Sequence, residues 1–426
     1  MKDPAHSLFN EKTIQRLCSN ESITEEQIER ANQWIYWIKK DLLRDEVENY
    51  NQFAVFILQK ILGYDTEKDW KLNRGKIEFS FLDLTGEKGV GIEAKGMSCK
   101  DLFAPQRREK SEHKTPIKQL WDYIGENNFD YGICTNYRYF VLIDRSKGYS
   151  KYHFIDFLEI EHNKDKPKEF VAIFSKKNIL DNNFLPKLYD ESVLEEREFT
   201  KQFYKLYHET RLMLIKEFME NSSKEKSIHY AQLFLNRVIF IFFAEDTNKL
   251  QKRLFHDIII QSLNPLLVSE YSHFVCETIK NLFERLDKGS IKPSKIFGFN
   301  GGLFKELIPS DFLFRDLMIE DYFKDVLQYS NLKEIKLDEI TQRHIYKFGN
   351  NLNPIIKNLL LMSSFNFQTE LNVDILGHIF EQSINDLAEL KQSTDLSRRK
   401  KEGIYYTPAY ITDYICRNTI IPFLSI

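Results

Sequence analysis

The sequence predicts an α+β protein, with an α/β sandwich in roughly the first 165 residues and a mostly α-helical region after it. Three observations carry this. Between about residues 22 and 160 the apolar positions switch between helical spacing and strict alternation, in the order α-β-β-α-β, which is that of a sandwich rather than a bundle. From about 191 to 390 the apolar positions keep the 3–4 spacing of helices. Gly 16 and Pro 11 in 426 residues is about half the usual share of helix breakers.

The first helix is announced by Thr24 with Gln27 three residues later, a capping-box spacing, and carries Ile28, Trp34, Ile35, Trp37 and Ile38 towards Leu43. A second helix carries Phe53, Phe56, Ile57, Ile61 and Leu62 and should stop at Gly63. Lys76–Asp83 alternates, with Ile77, Phe79 and Phe81 on one side, and reads as a strand. The turn Thr85–Gly89 leads to a second strand, Val90–Lys95. A helix around Pro116–Gly125 precedes strands at Tyr131–Thr135 and Tyr139–Asp144. Residues 161–170 are polar and read as a linker. Beyond it, Phe199, Phe203, Leu206 and Tyr207 recur at helical spacing, as do Leu233, Val238 and Phe242. The loop Gly298–Gly302 interrupts this region. The basic run Arg398–Lys401 opens the last segment, which reads Gly403-Ile-Tyr-Tyr-Thr-Pro408 before a short helix from about Tyr410. The chain ends at Ile426, which reads as the start of a domain whose remainder is missing.

Composition narrows the function classes. Lys+Arg 60 against Asp+Glu 63 leaves a net charge of −3, so contact with a polyanion must come from local patches. Cys18, Cys99, Cys134, Cys276 and Cys416 are scattered, form no metal knuckle, and suggest reduced thiols in the cytoplasm. The N-terminus lacks an apolar signal core. The most apolar run, Val238–Ala244, is seven residues against the ~20 of a membrane span, so no membrane partner is expected. Arg237, within that apolar helix, is expected to pair with Glu245 or Asp246 rather than to reach DNA.

The chemistry concentrates at Asp83, nine intervening residues, and Glu93-Ala94-Lys95. Residues two apart on a strand share a face, so Glu93 and Lys95 project together while Val90, Ile92 and Ala94 face the core. Asp83 ends the preceding strand, and the two carboxylates are expected to converge. Mg²⁺ takes hard oxygen ligands and keeps several waters, so two carboxylates and a carbonyl would suffice. A cation there would neutralise a scissile phosphate and activate water, and the lysine would steady the attacking hydroxide or the pentavalent charge. Alone the spacing is a weak signal that an ordinary surface hairpin also gives. Gly91 and Gly96 flank it, permitting close backbone approach. Between Lys95 and Lys118 lie seven Lys/Arg against three Asp/Glu, a basic patch suited to a polyanion.

These residues resemble the PD-(D/E)XK nuclease core in order and spacing: Glu46 ahead of Ile61-Leu-Gly-Tyr64, then Asp83, Glu93-x-Lys95 and Gln119-x3-Tyr123. The resemblance implies a restriction-endonuclease-like sandwich in which Glu46, on a helix, Asp83 and Glu93 bind metal. Asp83, Glu93 and Lys95 would catalyse, and Gln119 and Tyr123 would assist near the scissile phosphate. Glu48 competes for the helix position; the distance to Gly63 favours Glu46. Leu82 stands where the family has proline.

A second resemblance covers the rest. Ala231–Asp246, Asn300-Gly-Gly-Leu-Phe304, Ile375–Glu381 and Lys401–Pro408 look like single-chain (type IIG) restriction–modification enzymes, in which nuclease, helical connector, adenine-N6 methyltransferase and target-recognition domain follow one another. It implies a nuclease at 1–165, a connector at 166–395 and a methyltransferase stub at 396–426. Tyr405, Tyr406, Thr407 and Pro408 resemble part of a cradle for S-adenosylmethionine, a cofactor expected only in a longer native chain. The glycine-rich cofactor loop and the Asn-Pro-Pro-Tyr-like loop do not occur. The expected function is a Mg²⁺-dependent endonuclease acting on double-stranded DNA, with Arg107, Arg108, Lys110 and Lys114 on phosphates and a transient homodimer for double-strand cleavage. Two other readings stand beside it: the N-terminal part of an adenine-specific DNA methyltransferase, and a non-catalytic DNA-binding or assembly module with a vestigial nuclease.

Overall fold

A computed structural model describes residues 7–65, 79–83, 85–105, 115–148, 150–264, 266–290, 296–299, 302–318, 322–325, 337–367 and 377. The chain divides into two compact units, Met1–Glu196 and Arg197–Ile426.

The first unit opens with α1 (Glu11–Cys18), short and unforeseen in the sequence, whose first amides at Lys12 and Thr13 donate to the Asn10 side chain. In α2 (Glu25–Lys39) the capping box forms as expected: the Gln27 amide donates to Thr24 Oγ1 at 3.2 Å and the Thr24 amide to Gln27 Oε1 at 2.9 Å. One turn, α3 (Tyr50–Gln52), runs on into a π-helical stretch, Phe53–Ile61, and the chain turns away at Gly63 with φ +74°. The sheet follows as β1 (Phe79–Leu82), β2 (Gly89–Ala94), β3 (Tyr131–Thr135), β4 (Tyr139–Asp144) and β5 (Tyr152–Asp156), with α4 (Pro116–Glu126) between β2 and β3. The strands lie in sequence order; β2 and β3 are parallel, and the other neighbours antiparallel.

Alternation sorts the side chains into two layers. Phe79, Phe81, Val90, Ile92, Ala94, Ile133, Phe140 and Ile155 join the core shared with α2, the π-helical stretch and α5 (Lys166–Phe174). Cys134, Val141, Ile143 and Phe154 pack on the other face with Ile117, Leu120 and Ile124 of α4. This is the expected α/β sandwich. The expected linker is not one. Residues 157–161 form a 3₁₀ turn, α5 begins at Lys166, and Phe170, Phe174, Ile179, Leu180, Leu185 and Leu188 are buried in the first core. The first unit therefore runs past the expected boundary at 165. The polar stretch is a helix entrance, and Glu169 within it is buried against His153 at 3.2 Å and Lys166 at 2.9 Å.

The second unit is helical in its described residues, as the 3–4 spacing foretells. The 36-residue α6 (Phe184–Met219) carries the chain across the division between units. Then come α7 (Lys224–Asp246), α8 (Leu254–Ser262), α9 (Phe274–Lys288), α10 (Glu339–Tyr346) and α11 (Pro354–Met362). By length and composition α7 could cross a membrane, yet most of its apolar window is buried within the protein. Arg237 does not pair with Glu245 or Asp246. Its Nε donates to Leu303 O at 2.9 Å and its Nη2 to Glu306 O, between the rings of Phe283 and Phe304. The two acids serve elsewhere: Glu245 Oε1 accepts from the Phe255 amide at 2.8 Å, and Asp246 Oδ2 from the Phe367 amide at 2.7 Å.

Burial pushes the Glu245 carboxyl up to about 7, against the bonds from the Phe255 and Arg253 amides. Its folded value thus lies above the ordinary 4.5. The folded chain binds this proton more tightly than the unfolded chain, so the stabilisation is full below about 4.5 and is lost as pH rises through about 7. A shift of that size corresponds to about 3 kcal/mol. Glu245→Gln keeps an oxygen acceptor and should flatten the loss. Denaturant unfolding of the helical unit at pH 5 and pH 8 checks this; an equal loss in the variant would count against it.

Candidate active site

The site is built at the C-terminal end of β2. Because alternate residues face alternate sides, the same pattern that sends Ile92 and Ala94 into the helical core sends Glu93 to the α4 face, beside Cys134 of β3. Lys95 follows two residues later on the same side, its amide extending the parallel pairing to Thr135 O at 2.7 Å. Glu93 and Lys95 are 3% and 4% exposed. Lys95 Nζ lies 2.7 Å from Glu93 Oε1 and 3.5 Å from Glu46 Oε2.

Glu46 arrives from a different segment than expected. The helix begins at Tyr50, and Glu46 sits on the preceding turn, residues 46–49. Asp45 organises that turn, its Oδ1 accepting from the Val47 and Glu48 amides at 2.8 and 3.0 Å, while Asn49 Nδ2 donates to Asp45 O. These local bonds compete with helix and delay its start. Glu48 is exposed, and Glu46 is the one that reaches Lys95. The turn docks on the backbone after β2: Met97 N donates to Leu43 O at 2.9 Å and Ser98 N to Arg44 O at 3.3 Å. Gly96 permits this approach. A Cβ there would overlap the Arg44 carbonyl oxygen and lie 2.8 Å from Asp45 C and Glu46 N.

Asp83 does not converge with Glu93. The register pairs Leu82 with Gly89 and Phe79 with Ile92, so Asp83 lies at the turn end of the hairpin and Glu93 at the other end, about 16 Å along the strand. Its carboxylate closes the turn, accepting from the Glu87 and Lys88 amides at 2.9 and 3.2 Å and from Thr85 Oγ1 at 2.8 Å. Desolvation raises this carboxyl, but the Thr85 hydroxyl and the Lys88, Glu87 and Gly86 amides outweigh it and hold it below the usual range. The β1 end that faces Glu93 begins at Phe79. The acidic residue next to it in the sequence is Glu78, which lies outside the described residues.

On α4, which packs over β2 and β3, Gln119 is buried and its Oε1 has no hydrogen-bond partner among the described residues. Tyr123 is half-buried one turn on. Only part of the basic patch falls on described residues. Lys95 is buried and paired, Lys118 pairs with Asp122 at 2.8 Å, and Arg107, Arg108, Lys110 and Lys114 lie outside the described residues, as do Tyr405, Tyr406, Thr407 and Pro408. A cavity of about 420 Å³, lined among others by Lys100, Phe103, Tyr139 and Asp156, is separate from the Glu46–Glu93–Lys95 group.

Two carboxylates converging on one ammonium form a hard oxygen donor set of the kind Mg²⁺ takes, with a basic group beside it. Among the described residues no group of three His, Cys, Asp or Glu stands ready to hold a metal, so a cation at Glu46 and Glu93 would complete its shell with carbonyl, water or substrate oxygens. What sequence reasoning missed is Tyr137. It lies in the β3–β4 turn with φ +70° and is fully buried, and its hydroxyl donates to Glu46 O at 2.7 Å. Nothing in the sequence distinguishes it from the other tyrosines.

Comparison with known proteins agrees with the resemblance to the N-terminal part of a type IIG restriction–modification enzyme. A family model described as the MmeI helicase spacer domain matches residues 229–304, within the helical unit. A Methanocaldococcus jannaschii protein, whose name designates a type II restriction enzyme and methyltransferase, is 28% identical over 329 residues, 72% of this chain. The chain spans about a quarter of that relative's length, 24%. No solved structure matches.

Gly96→Ala should force the 44–46 turn off the backbone after β2, an overpacking cost of about 1–3 kcal/mol. Thermal melting and hydrogen exchange at the Met97 amide check this. The variant should melt earlier and exchange faster there, and wild-type values in both would contradict the close approach.

Proposed function

We propose that the first unit is a Mg²⁺-dependent DNA endonuclease, the restriction half of a combined restriction–modification polypeptide, acting on double-stranded DNA in the cytoplasm. The observation that carries this is the buried Glu93–Lys95 pair with Glu46 reaching the same ammonium. A buried ion pair is weak support for stability, because apolar residues of similar volume often do as well or better. A costly pair at a strand end, joined by a second carboxylate, is a candidate for chemistry.

Lys95, oriented by Glu93 and Glu46, would aim its ammonium at the attacking water and at the charge developing on the phosphoryl oxygens. Glu93 keeps that ammonium in one position. Gln119 offers a buried amide oxygen from the α4 side. A Mg²⁺ held by Glu46 and Glu93 would supply Lewis-acid polarisation of the phosphate and a water of lowered pKa. Arg107, Arg108, Lys110 and Lys114 are proposed to contact DNA phosphates, which carry position but no sequence information. Cutting both strands with one such site per chain calls for transient pairing of two chains. Adenine methylation with S-adenosylmethionine, for which Tyr405–Pro408 would supply part of a cradle, is assigned to a longer polypeptide, in line with the paired activities in the relative's name.

Supercoiled plasmid with Mg²⁺ or Mn²⁺ tests the reading. Glu93→Gln, Lys95→Met and Glu46→Gln should each reduce nicking about a hundredfold or more. Asp83→Ala should nick at close to the wild-type rate, since its carboxylate serves the turn. Undiminished nicking in both Glu93→Gln and Lys95→Met would overturn the endonuclease reading.

A further inference from the structure

We infer that Tyr137 is a positioning residue for this site: its hydroxyl, delivered by the strained β3–β4 turn, fixes Glu46 where it meets Lys95. The inference rests on the reading of Glu46 and Glu93 as the cation-holding pair.

The turn from Thr135 to Tyr137 works as a bracket around the site. Thr135 O accepts from the Lys95 amide at 2.7 Å, so one end of the bracket fixes the backbone of the lysine. The Asn136 Nδ2 donates to Cys99 O at 2.8 Å, which fixes the far end of the segment leaving Lys95. Its Oδ1 accepts from the Arg138 and Tyr139 amides at 3.2 and 2.7 Å and so closes the turn itself. Tyr137 completes the bracket with the 2.7 Å bond from its hydroxyl to Glu46 O.

Two features separate this tyrosine from an ordinary core residue. Its φ of +70° is a left-handed conformation that a bulky side chain adopts only where its surroundings enforce it. The enforcement is visible. The Tyr137 amide donates to Thr135 Oγ1 at 2.9 Å, its carbonyl accepts from Trp34 Nε1 at 2.8 Å, and its ring lies edge-on to Trp34 and against Phe53. Without the strained backbone, the ring would not be directed from a hairpin turn of the sheet to the 46–49 turn. Glu46 itself is only half-buried, so a fixed backbone is what holds its carboxylate at Lys95.

The test uses the full chain and Mn²⁺ as probe, with binding followed by loss of the free-ion electron paramagnetic resonance signal in the absence of DNA. Tyr64 is a matched control, another fully buried tyrosine whose hydroxyl donates to a backbone carbonyl, Phe174 O at 3.0 Å, away from the site. Tyr137→Phe should weaken Mn²⁺ binding about tenfold, the scale of lost outer-shell support. Tyr64→Phe should leave it within twofold while melting at a similarly lowered temperature. Should Tyr137→Phe not fold, Gly96→Ala, which displaces the same turn from its other side, should show the same loss. Binding in Tyr137→Phe equal to that in Tyr64→Phe, with Glu46→Gln weakened, would overturn the positioning role alone. Unchanged binding in Glu46→Gln would overturn the reading of the site and the inference with it.

Discussion

An ammonium taken out of water needs anions that cannot drift away from it, and much of the first unit meets that demand for Lys95. Glu93 is fixed because it shares a strand with the lysine and is paired with Cys134 of β3. Glu46 comes from a separate segment and needs more. Gly96 lets its turn approach, backbone bonds at Met97 and Ser98 dock it, and Tyr137 holds its carbonyl. The aromatic layer beneath serves the same end, with Tyr50 stacked on Phe79 at 4.2 Å to tie the start of the helix to the start of β1. Loosening any of these would leave a buried charge poorly matched, a far larger penalty than the loss of one ordinary contact.

Much of this was legible in the sequence. The capping box at Thr24, the stop at Gly63, the strands Tyr131–Thr135 and Tyr139–Asp144, and the helix at Pro116 all rest on local patterns, and local patterns persist in the fold. The pairing of Glu93 with Lys95 was also readable, since residues two apart on a strand must share a side. Asp83 was misplaced because spacing along the chain says nothing of register. In an antiparallel hairpin the residue just before the turn faces the residue just after it, so an acid at the turn cannot meet an acid at the far end. The boundary at 165 failed for a related reason. Charged residues at a helix entrance look like a linker until His153, brought in by β5, gives Glu169 a buried partner. Tyr137 was invisible because its importance lies in a backbone angle and in two contacts each about a hundred residues away.

The helical unit uses buried charge differently. Asp316 accepts from the Phe274 and Val275 amides at the start of α9, and Glu245 from Phe255 in the first turn of α8. Both supply acceptors that the helices' own first turns lack. Arg237 does the reverse, donating to the carbonyls of Leu303 and Glu306. These three charges satisfy backbone where loops meet helices, whereas buried Glu217 is matched by the side chains of Arg315 and Asn353.

The parallel pairing of β2 with β3 has a consequence for assembly. Hairpins β1–β2 and β3–β4–β5 close through short connections and can form early, but joining them requires the chain to loop back through α4. Both bonds that complete the site across that seam, Lys95 to Thr135 and Tyr137 to Glu46, exist only once this non-local closure has occurred. A chain made only up to α4 carries Glu46, Glu93 and Lys95 but neither of these two bonds. Completion of the proposed site is thus tied to this non-local closure, not to either hairpin alone.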